Sequence, residues 1–153
     1  MEITIKEVRV STYNPDSDII SSFLILIQLK SGKEIIINDQ LPFDLRKFEG
    51  QEIDGLIYLM LSRIPIDDST KDEPENPILQ GKYLGRYEIP QKWEIPRSIK
   101  LEYEHIQEYH SIQIEGGEFI INPSVIKYYS IKEGEEFAFK SIGLELWAWQ
   151  PTK

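Results

Sequence analysis

The chain of 153 residues contains no cysteine. That excludes disulfides, thiolate nucleophiles and Cys-ligated zinc or iron–sulfur centres. Alanine is almost missing as well, Ala138 and Ala148 being the only two, so the strongest helix former is scarce. No run of lysine and arginine occurs, and the formal charge is −9, from 17 basic and 26 acidic residues. Such a surface repels phosphate backbones and anionic lipid, so neither nucleic acid nor membrane is expected as a partner. Long apolar runs are absent too: Phe23 to Ile27 and Leu56 to Leu61 are far too short to span a bilayer. Residues Met1 to Glu7 mix charged and apolar side chains and lack the basic start and apolar block of a signal peptide. The expectation is a soluble cytoplasmic protein without a cofactor, its oligomeric state open.

What is present points to β-structure. The hydrophobic fraction is 41% and the charged fraction 28%, near globular averages, but isoleucine dominates the apolar residues. Branching at Cβ suits a pleated surface better than a helix. Alternation predicts strands over 2–12, 19–30, 33–38, 51–64, 78–89 and 143–149, with one or two more between Ile99 and Glu115. A phase slip at Lys6-Glu7 predicts a bulge in the first strand. Asp39 is placed to cap a short helical turn carrying Leu41, Phe43, Leu45 and Phe48.

One stretch occurs twice. Gly32-Lys33-Glu34-Ile35-Ile36-Ile37-Asn38 is answered, 84 positions on, by Gly116-Gly117-Glu118-Phe119-Ile120-Ile121-Asn122. From Gly32 to Ile53, 8 of 22 positions are identical in the two copies, where this composition gives about two by chance. The repeated unit reads as strand, Gly turn, strand, apolar helical turn, Gly turn, strand. Gly50 and Gly134 sit where φ > 0 is required. Between the copies, residues 65–77 are acidic and rich in proline, and a mobile loop is expected there. The expected fold is mostly β: two similar β-rich halves, 1–64 and 78–153, as small barrels or pseudo-symmetric packed sheets with short helical turns, joined by the acidic mobile loop 65–77 and forming one compact unit.

The second copy resembles the swapped-hairpin, AbrB-like DNA-binding regulators over about 25 residues, through Phe119-Ile120-Ile121, Val125 and Ile131-Lys132-Glu133-Gly134-Glu135. The resemblance implies a related small-barrel geometry. Asn122 stands where that family places a proline, and Lys127 is the only base in the helical turn. DNA binding is therefore not carried over.

Two groups of residues carry the candidate chemistry. Trp147 and Trp149 alternate on the last strand, and Tyr83, Tyr87 and Trp93 are placed to join them. Exposed, they form a platform for a partner or a flat ligand; covered, they are packing. Glu102, Glu104, Glu108 and His110 share one face if 99–115 is extended. Of these, Glu104, Glu108 and His110 are the candidates for a metal or for acid–base work, with a charged strand edge as the plainer reading. No Gly-x-Ser-x-Gly elbow or phosphate-cradling loop is found. The functional expectation is a non-catalytic protein-interaction or assembly module. The alternatives are a sugar- or base-binding protein using the aromatics, and a hydrolase or metal site at the Glu/His segment. Burial of Trp147 and Trp149 counts against a platform. Convergence of Glu104, Glu108 and His110 in a cleft favours the third reading.

Overall fold

Alternation along the first strands puts Ile3, Ile5, Ile25, Ile27, Ile35 and Ile37 on one buried face. In the computed structural model, which describes residues 1–152, these positions belong to β1 (Glu2–Asn14), β2 (Ile19–Gln28) and β3 (Glu34–Asp39). Next come β4 (Glu52–Leu61), β5 (Ile78–Tyr87), β6 (Tyr109–Ile114), β7 (Gly117–Ile121) and β8 (Glu136–Pro151). Two short helices, α1 (Arg97–Glu102) and α2 (Ser124–Tyr128), and a 3-10 turn (Arg46–Phe48) complete the chain. The protein is mostly β. Among the described residues, no helix is long and apolar enough to cross a membrane.

All eight strands form one sheet in the order β1-β2-β3-β8-β4-β7-β6-β5. Two further pairings, β1 with β4 and β5 with β8, curl both ends back on the centre. The result is two closed rings of five strands, β1-β2-β3-β8-β4 and β5-β6-β7-β4-β8. Closure satisfies backbone groups that an open edge would leave to solvent. β4 and β8 belong to both rings, so residues 1–64 and 78–153 each complete the other's ring.

The two rings correspond pair by pair. Thr4↔Gln28 and Ile5↔Ile27 in β1–β2 are matched by Lys82↔Gln113 and Tyr83↔Ile112 in β5–β6. The predicted bulge at Lys6 is present, between Ile5 and Glu7, and β5 has its own between Tyr83 and Gly85. The second turn is matched as well. Gly50 N–H donates to Ile5 O at 2.7 Å, and Gly134 N–H to Tyr83 O at 2.8 Å. Their φ values, 81° and 90°, lie where only glycine is unstrained. At the centre, Leu59↔Leu144 and Met60↔Gly143 exchange under the same operation, which places a pseudo-twofold axis through the β4–β8 ladder.

Two expectations need correction. Residues 39–48 form no α-helical turn beyond the 3-10 turn Arg46–Phe48; Pro42 disfavours helical geometry at Leu41. Asp39 still caps locally, accepting the N–H groups of Phe43 and Asp44. Burial pushes its carboxyl above the usual range, against the pull of these bonds. Residues 97–102 are helical, not extended, with Pro96 ahead of the first turn. Ile99, Tyr103 and Ile106 recur at helical spacing and pack together on the sheet. The acidic segment 65–77 has no helix or strand; Pro74 O accepts Ile36 N–H, Pro77 O accepts Ser141 N–H, and Asp72 pairs with Lys33.

Gly81 is a point of close approach. A Cβ there meets Ile112 Cγ2 at 2.3 Å and Ile114 Cγ1 at 3.0 Å. Gly81→Ala therefore destabilises the fold by roughly 1–3 kcal/mol, read from the urea midpoint. Gly55→Ala, whose Cβ meets no atom closer than 3.4 Å, changes stability by about 1 kcal/mol or less. Equal losses at the two positions contradict the packing argument.

Candidate functional site

The predicted aromatic platform is divided and covered. Trp147 is 1% exposed. It stacks on Tyr58 with ring centroids 4.6 Å apart and planes 11° from parallel, and it touches Tyr103 and Tyr109. Trp93 is buried in the same outer cluster, and Tyr87 is half-buried beside it. Segment 88–108 lies over this cluster, because Trp93, Ile99, Tyr103 and Ile106 have only that apolar face of β4, β7 and β8 to bury against. Trp149 and Tyr83 go elsewhere, to the main core; Trp149 meets Phe48 edge-on at 4.7 Å.

The Glu/His face is not assembled. Glu102 closes α1, Glu104 is exposed in the following turn, and only His110 lies on a strand. The period-2 alignment is broken by the helix, so Glu104, Glu108 and His110 do not converge. Among the described residues no group of three His, Asp or Glu is placed to hold a metal ion. His110 is instead a packing residue on β6. Its Nδ1 shares a 2.5 Å hydrogen bond with the Tyr83 hydroxyl, and its Nε2 lies 3.4 Å from Glu108 Oε1.

Beneath the covering segment one carboxyl is buried. Glu145, 3% exposed on β8, accepts the hydroxyl of Tyr103. Burial raises its pKa above the usual carboxylate range; the Tyr103 bond acts the other way. Burial and this bond raise Tyr103 as well, and burial pushes Tyr58 up to about 12. The Trp147 indole Nε1 lies near Glu145 but has no hydrogen-bond partner of good geometry.

Two larger openings remain. A shallow groove of about 820 Å³ runs along β5, between Lys33, Lys82, Glu115 and Glu136. Its charges are of both signs, and Lys33 is already held by Asp72, so it selects no ligand class. A second cavity, of about 440 Å³, is apolar. Phe137, Phe139, Val125, Tyr129 and Ile131 line it together with Ile64, Pro65 and Ile66, with Ser62 as a polar side chain. Size and lining both suit a small-molecule site.

The pseudo-twofold axis accounts for this cavity. In the first ring Phe48 and Trp149 pack together on the core at the corresponding place. The residue 84 positions after Phe48 is Lys132, which is exposed. Trp149 faces Gly55 across the ladder, but on the other side β4 ends at Leu61, opposite Ser141. No β4 residue therefore faces Phe139, the counterpart of Gly55, whose strand partner is Leu79 of β5. Both aromatic fillers of the first ring are missing from the second. The sequence signal was the departure from the repeat at Phe48/Lys132, which carries meaning only once the ring is known.

No protein-family model and no curated protein sequence matches the chain. Among solved structures it is similar to the cytoplasmic molybdate-binding protein ModG, in a form with molybdate bound. The two are 13% identical, with 96% of this chain and 93% of that one covered, at a TM-score of 0.46.

Glu145 gives a signed pH prediction. A carboxyl whose pKa is higher folded than unfolded binds more protons in the folded state, so its contribution to stability is lost as pH rises through that interval. Glu145→Gln keeps the acceptor for Tyr103 and removes the charge. The stability difference between variant and parent shifts in the variant's favour as pH rises from 4 to 8, read by denaturant titration at each pH. A difference that is flat with pH contradicts the burial argument.

Proposed function

We propose that the protein is a non-catalytic binding protein for a small, flat, apolar ligand held in the cavity beside α2. One observation carries this reading: the cavity lies where the first ring seats Trp149 against Phe48. The rings share a backbone scheme, but Phe137 and Phe139 stand where the first ring has Ile53 and Gly55, and the apolar space beside their rings suits a planar group. Phe137 and Phe139, with centroids 5.2 Å apart, offer it ring edges and faces. The binder class is the one that aromatic residues suggested in the sequence, but the lining differs from Trp147, Trp149, Tyr83, Tyr87 and Trp93.

A second reading, a protein partner, is favoured by the exposed apolar residues Ile64, Tyr128 and Ile142 at 76%, 64% and 59% exposure. Isolated exposed side chains are common, but three around one short helix mark a surface for contact.

Indole is the direct probe of the first reading. It binds the protein saturably, at one site, with a Kd on the order of 0.1–1 mM for a ligand of its size. Ile131→Trp, which fills the cavity from its own wall, abolishes this binding while the thermal midpoint stays within a few degrees. Isothermal titration or ligand-observed NMR reads both. Indole binding that survives Ile131→Trp, or no binding to the parent, overturns the proposal.

A further inference from the structure

The link between β5 and β6 is unlike its counterpart. β1 and β2 are joined by a turn of four residues, Pro15 to Asp18. β5 and β6 are joined by residues 88–108, which fold back over the outer face of the sheet. Among the described residues, the backbone hydrogen bonds of 88–108 are all local, such as Trp93 N–H to Pro90 O and Tyr103 N–H to Ile99 O. The segment is held to the sheet only by side chains. These are its apolar anchors Ile89, Trp93, Ile95, Ile99, Tyr103 and Ile106, ion pairs of Lys92 with Asp54 and of Glu108 with Arg86, and the Tyr103–Glu145 bond. Segments so held open locally at low cost compared with the ladders beneath them.

What the segment covers is not a plain apolar face. The floor is Tyr58, Tyr109 and Trp147, with Glu145 beside them. The residues 84 positions from Tyr58 and Glu145 are Ile142 and Leu61, so the other ring does without both. The Tyr103 ring sits 4.9 Å from Tyr58 and 5.0 Å from Trp147, as a plug. Removing it leaves aromatic faces around a carboxylate that can accept several more bonds. Aromatic faces and a desolvated carboxylate attract the same class of guest, an organic cation.

We propose that residues 88–108 are a displaceable lid over a site for a small organic ammonium ion, and that Tyr103 occupies the ligand's place when the lid is closed. A cation holds Glu145 ionised and offsets its burial. The site shares no lining residue with the cavity beside α2, so the two proposals stand or fall separately.

Choline and its neutral isostere 3,3-dimethylbutan-1-ol test the idea by isothermal titration. Choline binds saturably at one site and the isostere at least tenfold more weakly. Tyr103→Ala, which removes the plug, raises choline affinity at least tenfold, and Glu145→Gln abolishes binding. A peptide bearing trimethyl-lysine tells a free ammonium from a partner's side chain, by binding more tightly than choline in the second case. Hydrogen exchange of the parent protein gives a readout independent of the variants: amides of 99–103 exchange at least tenfold faster than those of β4. Equal affinity for the isostere overturns the proposal. So does absence of saturable choline binding in both the parent and Tyr103→Ala, or exchange at 99–103 as slow as in β4.

Discussion

The structure depends on the antiparallel ladder between β4 and β8, which runs from Ile53↔Pro151 to Leu61↔Ser141. Every other strand is arranged around it. β3 adds in parallel to β8 and β7 in parallel to β4, and the outer strands β1 and β5 return to close on the same pair. One ladder therefore serves as wall to two rings. Leu59, Leu144 and Leu146 lie along it, all at 1% exposure or less. With both faces covered, the run Gly55 to Leu59 has little room for polar side chains, which is why it reads as an unbroken apolar stretch.

Symmetry at the backbone makes the departures informative. Where the first ring has a tight turn, the second has segment 88–108 with its aromatic anchors. Where the first ring is filled by Phe48 and Trp149, the second is hollow. Both departures fall on the second ring, one outside the sheet and one beside α2. A scaffold that satisfies its backbone by closure can tolerate a void or a loosely held cover without unravelling, because neither removes a ladder hydrogen bond.

Much of the scaffold was legible in the sequence. Isoleucine at alternate positions marked the strands, the slip at Lys6-Glu7 marked a bulge, and Gly50 and Gly134 marked positive φ. These are local signals, set by pleat and turn chemistry. Segment 97–106 was misread because Ile99, Tyr103 and Ile106 follow a helical period over too short a run to compete with the alternation after it. The candidate sites were less legible. Trp147 looks the same in sequence whether a lid covers it or not, and the cover comes from residues nearly fifty positions away. The cavity is set by the end of β4, which leaves Phe139 without a partner on that strand, and tertiary pairing alone reveals this.

The sharing of β8 between rings has a consequence for how the chain acquires its shape during synthesis. β1, β2, β3 and β4 are complete by Leu61, yet β3 and β4 do not pair with each other; β8, from Glu136 onward, stands between them. A nascent chain emerging from the ribosome thus carries a first half whose core isoleucines have no closed wall until β8 appears. Contacts this distant in sequence slow folding and lengthen the exposure of apolar strands. A chain in which β8 has not yet emerged is, in this sense, still open at β1 to β4, and the cell must keep it from sticking until that strand slides in.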